Sequence, residues 1–145
     1  VVGRYENTPV LRFLRKGGDV SSLVGEKVTV EQVAMALTET RPKAYEGEVC
    51  VSYALEDVPQ YYVCVEGRVD ASWADAFDVS LQKLNVEYAS KRHSGRLVKP
   101  IIFQIPRGSL RSIKKNKLIK GAADGQVKDD LLVSHDVLKK WLSLV

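Results

Sequence analysis

Histidine and cysteine are scarce in this sequence, two of each in 145 residues, and there is a single methionine. Two cysteines with no histidine beside them make a poor metal set, because zinc usually takes four ligands in closely spaced pairs. No structural metal is expected, and Cys50 and Cys64 read as two reduced, buried thiols of a cytoplasmic protein. They sit in two strand-like runs joined by a short turn, either face to face or one register step apart. No run of about 18 apolar residues occurs, so no membrane span is expected. The opening VVGRYENTP lacks the charged, apolar and cleavage regions of a signal peptide. The only methionine is Met35, so the chain is expected to begin inside a longer polypeptide. Also missing are the phosphate-cradling GxxxxGKS and GxGxxG loops, the HExxH zinc motif and the GxSxG nucleophile elbow. A self-contained active site is not expected.

A chain of this length with 45% hydrophobic residues can bury one good core but not two, which predicts a single domain over residues 1–145. Residues 1–24 read as a hairpin region with a glycine-rich turn at Gly17-Gly18-Asp19, leading into an α+β core. Thr29 and Gln32 have the spacing of a capping box, and Val30, Val33, Ala34 and Leu37 follow at helical steps until Pro42 excludes a longer helix. Alternation from Glu48 to Leu55, repeated in QYYVCVEG, predicts an antiparallel hairpin. Trp73, Phe77, Leu81, Leu84 and Tyr88 form a stripe at steps of three and four, the signature of one long amphipathic helix. IIFQIP is a short strand, RSIKKNKLIKG a basic helix over roughly Leu110 to Lys120, and SHDVLKKWLSLV a last helix with Ser134 as its cap. The expected architecture is a small mixed or antiparallel sheet with helices packed on it.

Titratable candidates are few. His93 and His135 both stand at helix ends, where a solvated or capping role is the expectation. The adjacent acids Glu56 and Asp57, and Asp129 and Asp130, read as solvated loop tips. Two lysines differ in placement: Lys27 in VGEKVT and Lys128 in DGQVKDD each follow a glycine closely in an expected loop, where a cation can project toward a ligand. Gly25 permits the bend before Lys27.

Five segments, GRYENTPVLRFLRKGG, GEKVT, LNVEYASKRHSGRL, IPRGSL and GQVK, resemble in order and approximate spacing the C-terminal domain of the auxin-responsive Gretchen Hagen family. The resemblance runs from about Gly3 to Lys128 and looks closer to the bacterial branch. Members are acyl acid amido synthetases of the adenylate-forming superfamily, which use ATP and Mg to activate a carboxylate as an acyl-adenylate and then form an amide with an amino acid or amine. The resemblance implies that this chain is the mobile C-terminal lid of a two-domain enzyme, inactive alone, with a missing N-terminal adenylation domain as its partner. By resemblance Lys128 serves adenylation and Lys27 the alternate orientation of the lid. Gly25, Glu26, Gly125 and Gln126 would then lie in loops near substrate or nucleotide. ATP and Mg belong to the full-length enzyme, and none is expected bound to this fragment.

A competing reading is a small basic α+β module that binds nucleic acid or a protein without catalysis. Its basic helix offers Arg111, Lys114 and Lys115, and Tyr61 and Tyr62 would be the stacking rings. No RNP-like or GXXG signature accompanies that charge, so nucleic acid is the weaker expectation.

Overall fold

The computed structural model describes residues 3–5, 8–10, 20–120 and 130–144. The fold is α+β, as the sequence predicts. Strands β1 (Gly3–Tyr5) and β2 (Thr8–Val10) pair antiparallel, with Tyr5 opposite Thr8. The Gly17-Gly18-Asp19 turn expected for the first hairpin lies outside the described residues. A second short ribbon joins β3 (Val20–Ser21) to β4 (Val28–Thr29).

Helix α1 (Val30–Thr40) starts at the expected capping box: Gln32 N donates to Thr29 Oγ1, and Thr29 N donates to Gln32 Oε1. Two orphan donors of the first turn are thereby satisfied reciprocally, which pins the helix start to one residue. The central hairpin is β5 (Val49–Leu55) with β6 (Pro59–Glu66), in a register that sets Cys50 directly opposite Cys64. After α2 (Ser72–Leu84) and α3 (Val86–His93), strand β7 (Ile101–Ile105) joins β6 in parallel. Helix α4 (Ser109–Ile119) follows, then β8 (Leu132–Ser134), parallel to β5, and α5 (His135–Leu142). The main sheet therefore runs β7-β6-β5-β8.

Side chains alternate across this sheet. Val51, Tyr61, Val63 and Val65 meet Val33, Leu37, Trp73, Phe77, Leu81 and Tyr88 of α1, α2 and α3 in the larger core. Cys50, Cys64 and Val133 face the other way, onto Ile113 of α4 and Leu138 of α5. Helices thus cover both faces of the sheet.

Three expectations need correction. The long stripe is two helices, not one, because Asn85 leaves the helical region (φ −138°, ψ 108°) and restarts the chain as the cap of α3, accepting a bond from Tyr88 N at 2.8 Å. Tyr88 is completely buried, which is worth about 1.5–3 kcal/mol, so the apolar stripe continues across the kink. Strand β8 is additional, and it is built only through its pairing with β5. Ser134 precedes α5, but its side chain makes no capping bond.

Candidate functional site

The turn between β3 and β4 places an acid and a base on opposite sides of the surface. Gly25 and Lys27 both have positive φ, +98° and +47°, and Lys27 is the one non-glycine residue described in that region. A side chain at Gly25 would be strained there, whereas the lysine accepts its conformation at some cost. The two left-handed residues reverse the backbone around Glu26 and send its side chain inward.

Glu26 is fully buried. Its Oε1 accepts from Leu23 N at 2.7 Å and from the Tyr61 hydroxyl at 2.5 Å, while Oε2 accepts from Val24 N at 2.8 Å. The Tyr61 oxygen also lies 2.7 Å from Ser21 Oγ. Burial, and next the carboxylate beside it, push the Tyr61 pKa far up, so the phenol stays a proton donor to Glu26. From outside the turn, Asn85 Nδ2 reaches the carbonyl oxygens of Glu26 and Lys27 at 3.1 and 3.2 Å, and Gln32 Oε1 at 3.0 Å. A buried carboxylate costs several kcal/mol unless paired or bonded; three donors on Glu26 offset that cost and make the turn stiff.

The exposed product of this scaffold is Lys27. Lys91 of α3 lies next to the same turn: a Cβ added at Gly25 would meet its Cε at 3.8 Å and Nζ at 3.9 Å. Sequence reading finds Lys27 but misses Lys91 and Asn85 and takes Tyr61 for a surface ring; the roles of all three come from packing between elements. Lys91 sits in the expected LNVEYASKRHSGRL segment, yet only the docking of α3 on the turn brings it near Gly25. Gly125, Gln126 and Lys128 lie outside the described residues.

A second polar cluster sits on the other face of the sheet. His135 is buried, contrary to the solvated or capping role expected of it, because α5 lays it flat on Tyr62 (4.2 Å between ring centroids) and edge-on to Phe103 (4.8 Å). Its Nδ1 is 2.7 Å from Ser52 Oγ, which is in turn 3.2 Å from Cys64 Sγ. Cys50 and Cys64 are free and buried, as expected. A hydrogen bond between the two thiols drives their pKa values apart, Cys50 up and Cys64 down, and His135 and Ser52 contribute to the lowering at Cys64. Among the described residues, no group of three or more His, Cys, Asp or Glu side chains could hold a metal ion.

The basic helix keeps Arg111, Lys114 and Lys115 on the surface. Tyr61 has no exposed area and Tyr62 is stacked on His135, so the aromatic platform expected for a nucleic-acid surface does not exist. Among the described residues no helix is long and apolar enough to cross a membrane.

No curated protein matches the chain. Among solved structures it is similar to one titled "GH3.15 acyl acid amido synthetase", with a TM-score of 0.69 and 12% identity. The match covers 89% of this chain and 26% of that one, so the chain spans about a quarter of the length of that structure. At this identity the likeness establishes the fold. A family profile described as "GH3 family C-terminal domain" matches residues 29–136, a segment that begins two residues after Lys27 and contains Lys128. With well over half of its length matched, the chain belongs to the GH3 family, the family its motifs resemble, and carries that family's C-terminal domain.

Proposed function

We propose that this chain is the mobile C-terminal domain of a cytoplasmic, ATP-dependent acyl acid amido synthetase of the bacterial branch. In that reading it acts together with an N-terminal adenylation domain, which supplies the ATP, acyl-acid and amine pockets. The observation that carries the reading is Lys27: an exposed cation held at positive φ on a turn whose neighbouring acid is buried and fully bonded. A lysine on a floppy loop would spend about 2 kcal/mol of rotamer and backbone entropy on each approach to a ligand; here much of the backbone share is already spent. Charge that develops at a phosphate or carbonyl oxygen is stabilised best by a cation that does not have to reorganise.

Substrate activation with Mg-ATP builds negative charge between the α-phosphate and pyrophosphate, and Lys128 is the lysine proposed to meet it. Lys27 is proposed to serve the amide-forming step, when the domain presents its other side. Lys91 is the second cation on that side, next to the Gly25 backbone. Magnesium arrives with the nucleotide in this scheme.

In the full-length protein, Lys128→Ala should slow acid-dependent pyrophosphate exchange about 100-fold or more, the scale of losing one preorganised charge contact. Lys27→Ala should leave that exchange within a few-fold and slow transfer to the amine. Negligible effects of both substitutions on both half-reactions would overturn the assignment.

A further inference from the structure

The thiols of Cys50 and Cys64 oppose each other across the two central strands of the sheet, on the face that α4 and α5 cover. Glu66 N donates to Glu48 O, and Val51 N is committed to Leu131 O on β8. By the alternation of an antiparallel ladder, Cys50 and Cys64 then fall at a hydrogen-bonded pair, whose Cα atoms are about 5.5 Å apart. That Cα spacing lies inside the range a disulfide spans, while the Cβ atoms of a hydrogen-bonded pair stand wider than the roughly 3.5–4.5 Å of a relaxed disulfide, so closure draws the two strands together locally and leaves the bond readily reducible. Both side chains leave the same face of the sheet, so no backbone register has to change.

Access is one-sided. Cys50 lines the floor of a cleft of about 420 Å³ between the start of β5 and helices α4 and α5, walled by Leu110, Ile113, Leu138 and Trp141. Cys64 has no exposed surface and is backed by Ser52 and, through it, His135. One thiol is therefore reachable by a small reagent, and the other waits behind it.

We propose that Cys50 and Cys64 form a site of reversible oxidation, in which a hydroperoxide entering the cleft converts the pair to an intrachain disulfide. In the first step Cys50 releases its proton to solvent in the cleft and, as the thiolate, attacks a peroxide oxygen. The O–O bond breaks, Cys50 becomes a sulfenic acid, and the departing oxygen takes a proton to leave as water or an alcohol. In the second step the Cys64 thiolate attacks Cys50 Sγ; the S–O bond breaks, and hydroxide leaves with the Cys64 proton as water. Two thiols and one hydroperoxide give one disulfide, one water and one further water or alcohol. The lowered Cys64 pKa, from its bond to Cys50 and then from His135 and Ser52, favours the second step because the attacking group is the thiolate. Closure breaks the contact of Cys64 with Ser52 and ties β5 to β6 at the centre of the sheet. The inference is independent of the amido synthetase reading.

The test is titration of the folded, full-length protein with hydrogen peroxide, followed by alkylation under denaturing conditions and peptide mass analysis. Both cysteines lie between Lys43 and Arg68 with no intervening lysine or arginine. One tryptic peptide, residues 44–68, should therefore become lighter by two hydrogens and regain both alkylation sites after dithiothreitol. In Cys64→Ala, Cys50 should stop at a sulfenic acid that dimedone captures. Independent oxidation of each sulfur to sulfinic acid in the unsubstituted protein would overturn the proposal, as would pairing with other cysteines, or thiols that stay unreactive until the protein is denatured. A Cys64→Ala protein in which Cys50 gives no dimedone adduct would overturn the proposed route of entry.

Discussion

The two faces of the central sheet solve the problem of buried polar groups differently. Toward α1, α2 and α3, each buried acid is bound by several fixed donors: Glu26 by two backbone amides and Tyr61, and Asp78 by Arg92 and the Tyr88 hydroxyl. Toward α4 and α5, the buried acid Glu66 accepts from Leu110 N at the start of α4, and beside it runs a chain of side chains from Cys50 through Cys64 and Ser52 to His135 with soft sulfur contacts. Fixed donors make the first face rigid and hold the Lys27 turn against it. Thiols and an imidazole leave the second face with protons that can move. The position of the candidate cation on one face and of the oxidisable pair on the other follows from that division.

The contrast can be broken from either side. Glu26→Ala should be the most damaging change, costing about 3–4 kcal/mol by stranding two backbone amides and a phenol in an apolar site. A urea midpoint shifted at unchanged slope would register this. Glu26→Gln keeps an acceptor and should lose roughly half as much. Asp78→Ala should follow at about 2–3 kcal/mol, less than a fully buried pair because the Arg92 side chain keeps 18% of its exposure and can turn to water. On the opposite face, Ser52→Ala should cost about 1 kcal/mol, the net worth of an ordinary hydrogen bond. A loss there as large as that of Glu26→Ala would mean that the two faces are equally rigid.

The smallest effect is expected at Lys27. Lys27→Gly removes the cation and relieves the positive φ, so stability should stay within about 1 kcal/mol of the parent and shift upward if at all. A clear loss of stability in that variant would assign Lys27 to the scaffold and not to a ligand.

Local signals were legible in the sequence and remote ones were not. The Thr29–Gln32 capping box, the alternation of β5 and β6 and the extent of α1 depend on neighbours within a few residues, and the structure keeps them. Asn85 reads as an indifferent helix residue, since what makes it a break is three acceptors on Glu26, Lys27 and Gln32, more than fifty residues earlier. Strand β8 has three residues and no hairpin partner, so nothing near it announces a strand. His135 was misjudged for the same reason: the rings and hydroxyl that bury it come from β5, β6 and β7. At the Gly25-Glu26-Lys27 turn, the bend at the glycine and the exposure of the lysine are legible locally, while the inward turn of the Glu26 side chain depends on Tyr61, 35 residues later.

The edge position of β8 has a consequence for how the domain is assembled. The middle strands, β6 and β5, are joined by a tight hairpin and can pair as soon as they are made, whereas both outer strands are parallel additions that arrive after helices or loops. Parallel, non-local pairing must meet its loop-closure entropy before it gains contacts. During synthesis β5 therefore waits with one open edge until residues 132–134 leave the ribosome, and only then does α5 bring His135 down over Ser52 and Cys64. Until that moment the thiol face has at most α4 over it, so the order of synthesis places the most oxidisable part of the domain among the last to be sealed.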